Sequence, residues 1–298
     1  MHIDKDGLEL LERIERAKNI VFFTGAGVST DAGIPDFRGK LGIYSSQTLQ
    51  SDNKLPNEAI FQSSFFLKDQ EPLFRLIKSI IPPTVKPTSF HCMLKVLDDL
   101  GKLRRVYTQN VDSLESLTGL KPERVVNAHG SIKESTCIDC KAKYNFEWLL
   151  AQLYIEESKR SDSSKIAPKC EACNGIIKPN IVLFDDPLPG NIFENLAGDI
   201  QACDLAIIAG TSLSVKPFSM IINYLLPTTC RFLVNNVEIT NGNISDTECF
   251  YEHDFGQKSL DYFWNTSMQN FVSKIANKLD SVERLKKVED DSESLKVL

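Results

Sequence analysis

The stretch Asn19-Ile-Val-Phe-Phe-Thr-Gly-Ala-Gly-Val-Ser-Thr-Asp-Ala-Gly-Ile-Pro-Asp-Phe-Arg-Gly-Lys-Leu-Gly-Ile-Tyr44 decides the fold. Apolar, β-prone residues, Ile20 to Phe23, run into Gly25-Ala26-Gly27. Small or polar residues (Val28, Ser29, Thr30, Asp31, Ala32) then lead to Gly33. The pattern predicts a strand, a tight glycine turn and the start of a helix, the arrangement that receives a dinucleotide pyrophosphate. Glycine lets the backbone approach the phosphates, and free N–H groups at the positive end of a helix face them. A Gly-x-Gly pair alone also fits a strand-to-helix turn without a ligand, and the third glycine falls later than the usual dinucleotide spacing. Pro35-Asp36-Phe37-Arg38 shifts the balance: a rigid turn, a carboxylate, an aromatic ring and a guanidinium are a mixture that loop packing does not need.

Four further apolar runs end in polar, ligand-type residues, the rule for the carboxyl ends of strands in an open α/β sheet. Leu103 to Thr108 delivers Gln109-Asn110-Val111-Asp112, although Asn-x-Asp alone is also an ordinary cap or turn. Val125-Val126-Asn127-Ala128 leads to His129-Gly130, a histidine able to take a proton near neutral pH with a glycine leaving room beside it. Ala202 to Ala209 leads to Gly210-Thr211-Ser212, Leu213 to Pro217 is expected to open the next helix, and Arg231 to Val234 leads to Asn235-Asn236. Between these lie helical patterns at 7–18, 59–67, 73–81, 89–100, 148–155 and 266–279. His91 falls inside the fourth. It reads as a ligand or base, or, with no metal-ligand spacing beside it, as a partly buried helix histidine, which we favour. From Ser281 the chain turns charged; Val282, Leu285 and Val288 have helical spacing, yet a solvated tail is the expectation.

Cys137-x-x-Cys140 and Cys170-x-x-Cys173 are two close pairs suited to tetrahedral zinc. Four thiolates leave no open coordination position, so the ion would be structural; free or redox-paired cysteines are the alternative. The 29 residues between the pairs include the polar insertion 156–164. Cys92, Cys203, Cys230 and Cys249 read as core residues. The 298-residue chain is 42% hydrophobic and 25% charged, enough to bury a sizeable core, and its net charge of −6 gives no general basic field for nucleic acid. Met1 to Asp6 has no apolar signal core and no run approaches the roughly 20 apolar residues of a membrane span. An intracellular, reducing compartment, nucleus or cytoplasm, is therefore expected.

Gly25-Ala26-Gly27-Val28-Ser29 through Gly33-Ile34-Pro35-Asp36-Phe37-Arg38, Thr108 to Asp112, His129-Gly130 and the paired cysteines together resemble the signature of the sirtuins, NAD-dependent protein lysine deacylases. The resemblance spans residues 8 to 278 with the motifs in the family's order. It implies His129 as general base, with Asn110 as the second catalytic residue. Gly25, Ala26, Gly27, Ser29, Asp36, Phe37, Arg38, Gln109, Asn110, Asp112, Gly210, Thr211, Ser212 and Asn235 would contact NAD, with Asn110 and Asp112 lining the nicotinamide pocket. Val182, Leu183 and Phe184 would border the acyl-lysine. Cys137, Cys140, Cys170 and Cys173 would hold one structural zinc ion. Acylated-lysine proteins, histone tails included, would be the substrates, without nucleic-acid or membrane binding. The acyl-lysine carbonyl oxygen would attack C1′ of the nicotinamide ribose, and His129 would then deprotonate a ribose hydroxyl. Lysine, nicotinamide and O-acyl-ADP-ribose would result. Where the family pattern continues glycine-glutamate after Phe184, this chain has Asp185-Asp186, which puts substrate contacts there in question. ADP-ribose transfer to protein, or a silent zinc-stabilised scaffold that binds NAD or a peptide, are the alternatives.

The fold expected is α/β, a Rossmann-like doubly wound parallel sheet with a smaller helical and zinc-binding module. Residues 1–40, 88–132 and 176–280 would form the NAD-binding domain, 41–87 and 133–175 the small domain, and 281–298 the charged tail.

Overall fold

The computed structural model describes residues 5–36, 57–82, 84–155, 165–236 and 260–296. Phe37, Arg38, Cys249 and the insertion 156–164 lie outside them. Helix α1 (Lys5–Arg16) feeds β1 (Ile20–Thr24); α2 (Ser63–Phe66), α3 (Glu71–Ile80) and a short β2 (Thr84–Val85) precede α4 (Ser89–Asp99). Then come β3 (Leu103–Thr108), β4 (Val125–Asn127), β5 (Gly130–Cys137), β6 (Lys143–Asn145), α5 (Phe146–Leu153) and β7 (Ile177–Ile181). The chain continues through α6 (Asn191–Ala202), β8 (Leu205–Ala209), β9 (Cys230–Asn235), β10 (Asp261–Asn265), α7 (Met268–Lys278), α8 (Val282–Asp291) and β11 (Leu295–Lys296).

Six strands form one sheet in the order β10-β9-β8-β1-β3-β4, every neighbouring pair parallel. β1 is central and wholly buried, which is why its sequence is a continuous apolar run rather than an alternating one. Its side chains still divide by the two-residue period. Ile20 and Phe22 join a core with α1, α4 and α7, whereas Val21 and Phe23 join the opposite core with α6 and the 3-10 turn Phe218–Tyr224. Helices on both faces make the sheet doubly wound.

A second, three-stranded sheet has the order β6-β5-β7, all antiparallel. Its core gathers Phe66, Phe74 and Ile77 from segment 41–87 with Leu149 and Leu153 from segment 133–175 and Ile132 of β5. Here one expectation is corrected. Residues 177–181, expected to return to the large domain, pair with β5 beside the cysteine pairs, because Ile177 is fully buried among Cys137 and Cys170.

Two more corrections concern local structure. After β1 there is no α-helix but two short 3-10 turns, Ala26–Val28 and Thr30–Ala32, ended by Gly33 at φ 82°. Gly27 N–H is spent on Gly210 O (2.8 Å) and Val28 O accepts from the Thr88 hydroxyl (2.9 Å), so cross-loop bonds take groups a helix would use. Likewise Leu213 to Pro217 opens a 3-10 turn rather than an α-helix. The charged tail is not solvated: α8 buries Leu285 in the core beside α4 and α7, Glu293 N–H reaches Leu117 O at 2.9 Å, and β11 pairs antiparallel with β2.

Candidate active site

The parallel strands deliver their polar residues to one edge of the sheet. β1 ends at Gly25, β3 at Gln109 to Asp112, β4 at His129, β8 at Gly210 to Ser212 and β9 at Asn235. The two glycine turns interlock. A Cβ on Gly27 would sit 2.8 Å from Gly210 Cα, and one on Gly210, at φ 62°, would sit 2.6 Å from Val28 N. Both glycines are therefore required by loop-to-loop packing, whatever ligand the turns also receive.

From these loops a chain of hydrogen bonds runs inward. Asn110 Nδ2 donates to Gly25 O (3.2 Å) and Ser29 Oγ (3.1 Å); Ser29 Oγ donates to Asp112 Oδ2 (2.8 Å). Leu114 N–H donates to Asp112 Oδ1 at 3.1 Å. Gln109 Nε2 donates to Thr211 Oγ1 at 2.8 Å, tying β3 to the β8 loop. Burial raises the Asp112 carboxyl above its ordinary value, and the Leu114 and Ser29 bonds oppose this.

His129 is half-buried, edge-on to Phe218 at 6.0 Å. Its Nδ1 lies 3.1 Å from Gln109 O, an atom that only accepts, so Nδ1 carries the proton and Nε2 has a free lone pair. Burial holds the imidazole below 6.5 against that bond's opposing pull, so it is neutral at pH 7. Gly130 (φ 74°) is needed because a Cβ would fall 2.1 Å from Asn180 O. Val182 N–H then donates to His129 O at 2.8 Å and Phe184 N–H to Phe61 O at 2.8 Å, so this segment bridges the histidine and the small module. Phe184 is exposed and edge-on to Phe61, whereas Leu183 is buried in the small-module core. Asp185 accepts from Ser64 Oγ at 3.4 Å and Asp186 pairs with Lys178 at 3.0 Å.

The sulfurs of Cys137, Cys140, Cys170 and Cys173 all lie within 4.8 Å of one another, with Cys137–Cys173 and Cys140–Cys170 at 3.5 Å. Zn–S bonds of about 2.3 Å in a tetrahedron put sulfurs about 3.8 Å apart, so the set fits zinc. Each pair sits in the same turn: Lys141 N–H bonds Cys137 O, Asn174 N–H bonds Cys170 O, and both residues have positive φ. The Tyr144 hydroxyl lies 3.2 Å from Cys170 Sγ as an outer contact. With four thiolates in place, such an ion holds the module together and has no position for a substrate.

Ala26, Asp36, Thr211, Ser212 and Asn235 lie on the same loops; Phe37 and Arg38 fall outside the described residues. Sequence reasoning missed Glu115 and undervalued His91. Both are fully buried, and His91, Asp112 and Glu115 each bring a ligand-type atom within 4.8 Å of the others. A signal existed in Thr88-x-x-His91, a capping box in which histidine takes the place of the usual Glu or Gln and turns its ring inward.

Residues 25–217 match the model of the Sir2 family. The chain belongs to that family. It is 41% identical over 74% of its length to the NAD-dependent protein deacetylase sirtuin-2 of Danio rerio, of which the match covers 56%. It is 34% identical over 93% of its length to the NAD-dependent protein deacetylase hst2 of Schizosaccharomyces pombe, covering 76% of that protein. A Clostridium perfringens NAD-dependent protein deacetylase is 37% identical over 76% of this chain and 86% of its own length. The chain thus spans little more than half of the zebrafish relative. As a Sir2 member, it has the parallel, doubly wound sheet and the four-cysteine cluster that its own sequence led us to expect.

Proposed function

We propose that this Sir2-family chain removes acyl groups from protein lysines with NAD as co-substrate. The observation that carries the reading is His129: neutral, its Nδ1 held by the Gln109 carbonyl so that Nε2 is free, at the same sheet edge as two interlocked glycine turns and the Asn110–Ser29–Asp112 chain. The relatives' names as NAD-dependent protein deacetylases support it. NAD, when bound, supplies a glycosidic bond whose cleavage releases nicotinamide and leaves ADP-ribose to take up the acyl group. The chain's own residues do the rest. The glycine turns and Thr211 present backbone and hydroxyl groups for phosphates and ribose. Asp112 places negative charge where a cationic leaving group sits, and His129 Nε2 takes a proton from a hydroxyl. No protein nucleophile is required. Asn110 orients Ser29 and, through it, Asp112. Gly25, Ala26, Gly27, Ser29, Asp36, Phe37, Arg38, Gln109, Asn110, Asp112, Gly210, Thr211, Ser212 and Asn235 form the cofactor site in this reading. Val182, Leu183 and Phe184 form the acyl-lysine side, with Leu183 acting from within the core.

The proposed divisions are those of the sequence, with 177–181 moved to the small module and 281–296 to the large one. The substrates are acyl-lysine proteins, histone tails among the panel to be tested, in a reducing compartment where four closely placed cysteines stay available for zinc. No helix among the described residues is long and apolar enough to cross a membrane. The test is incubation with NAD and acetyl-lysine peptides. Nicotinamide, deacetylated peptide and O-acetyl-ADP-ribose in equal amounts are expected. Labelled protein without peptide turnover would favour ADP-ribose transfer, and NAD uptake without any product a silent scaffold. The rate should fall only at pH more acid than the ordinary histidine range, because burial delays protonation of His129.

A further inference from the structure

Behind Asp112, away from the glycine turns, Glu115 and His91 form a buried polar pair that the proposed chemistry does not use. Glu115 is 1% exposed, and neither of its carboxylate oxygens has a hydrogen-bond partner among the described residues. His91 is 0% exposed. Its Nδ1 lies 3.2 Å from Thr88 N and 2.7 Å from Thr88 Oγ1, and its Nε2 is also without a partner among the described residues. One nitrogen of His91 and one oxygen each of Asp112 and Glu115 lie within 4.8 Å of one another, a separation that one bridging water spans.

Two ligand chemistries fit a buried His-Asp-Glu set: a cation or a proton. The cation is disfavoured by Asp112, whose two oxygens already accept from the Ser29 hydroxyl and the Leu114 N–H, and by His91 Nδ1, which is taken up by Thr88. The proton is favoured by the carboxylates. Two buried acids this close cannot both hold full charge. Asp112 has a donor on each oxygen, Ser29 and Leu114, and these favour its ionised form; Glu115 has none within bonding distance. We propose that Glu115 holds the shared proton and, with the His91 ring, keeps Asp112 ionised and fixed in place, so that Glu115 and His91 are positioning residues of the nicotinamide pocket. The placing of that pocket at Asp112 rests on the proposed function. Burial first, then the Asp112 charge, push the Glu115 carboxyl up to about 8; the Lys133 charge and the Thr108 hydroxyl act in the opposite sense. The other charges on the packed elements are engaged elsewhere: Lys95 of α4 with Asp99, and Glu289 of α8 with Ser89. His91 itself is held near 3 by burial, so it stays neutral at physiological pH.

The test compares wild type, Glu115→Gln and Glu115→Ala. The first readout needs no activity. Between about pH 4.5 and 8 native Glu115 keeps a proton that the unfolded chain has lost, so its contribution to stability falls as pH rises through that window. Neutral His91 acts oppositely and below 6.5, where the unfolded chain takes up a proton. Because His91 is common to both proteins, the difference in melting temperature between Glu115→Gln and wild type isolates Glu115 and should grow steadily from pH 5 to pH 8. The second readout is the kinetic split. Glu115→Ala should raise KM for NAD or lower kcat about tenfold, Glu115→Gln should restore most of that loss at pH 7, and the wild type's decline above pH 8 should be absent in the Gln variant. A difference in melting temperature that is flat with pH, a Gln variant as impaired as Ala, or metal beyond one zinc per chain that disappears with Glu115→Gln would overturn the proposal. A wild type without NAD turnover would instead count against the proposed function, leaving the melting series to decide on the proton.

Discussion

Asp199 and Glu115 are equally buried, each 1% exposed, and both belong to elements packed on β3 or following it, yet their surroundings are opposite. Asp199 receives Arg104 Nε, Arg105 Nε and the Tyr107 hydroxyl at 2.7, 2.7 and 2.8 Å, so its charge is matched by two guanidiniums and every lone-pair direction is used. Among the described residues no arginine bonds Asp112 or Glu115: Asp112 receives a hydroxyl and one N–H, and the Glu115 oxygens receive no hydrogen bond. A fully compensated carboxylate fastens α6 to the sheet. An under-compensated one holds potential that only a proton or an arriving cation can satisfy, and that potential is useful at a reaction centre. The distinction explains why a carboxylate at the same depth reads as structure in one place and as a site in the other.

The comparison can be broken at its compensated end first. Asp199→Ala leaves Arg104 and Arg105 facing each other without a counter-charge, and should cost about 3 kcal/mol, the low end for a broken buried pair because both arginines are partly exposed. Urea denaturation measures this, and activity per folded molecule should be unchanged. Next comes Asp112→Asn. It removes the charge while keeping shape, so kcat/KM for NAD should fall about a hundredfold, roughly 2.7 kcal/mol of transition-state binding. The smallest effect is on the stability of the same variant: relief of the desolvation that raises Asp112 should hold the loss under about 1 kcal/mol in the same denaturation experiment. If Asp112→Asn were destabilised as severely as Asp199→Ala and turned over normally, the contrast would be lost.

How far the sequence reveals these two regions differs as well. The strands are legible wherever burial on both faces makes a continuous apolar run, as in Ile20 to Phe23 and Leu205 to Ala209. The strand ends then point to Gln109, Asn110, Asp112, His129 and Gly210 by topology alone. The cysteine spacing carries the metal module directly. What stayed hidden are pairings between distant segments. Ile177 to Ile181 looks like any short strand, and nothing local says that it joins β5 rather than the parallel sheet. Val282, Leu285 and Val288 show the helical period, but the sequence does not name α4 and α7 as its partners. The glycine at 27 is matched to the glycine at 210 across 182 intervening residues, so local reading assigns both to phosphate. His91 and Glu115 were obscured for the same reason: they meet only when the turn after β3 folds back on α4.

The central claim is that His129 supplies the base at a site shaped for NAD. It is tested most directly by His129→Ala, measuring acetyl-lysine peptide turnover beside calorimetric NAD uptake and zinc content. Loss of the general base should lower turnover by about 10²–10⁴-fold while NAD uptake and one zinc per chain persist. A variant that deacetylates at the wild-type rate would contradict the account.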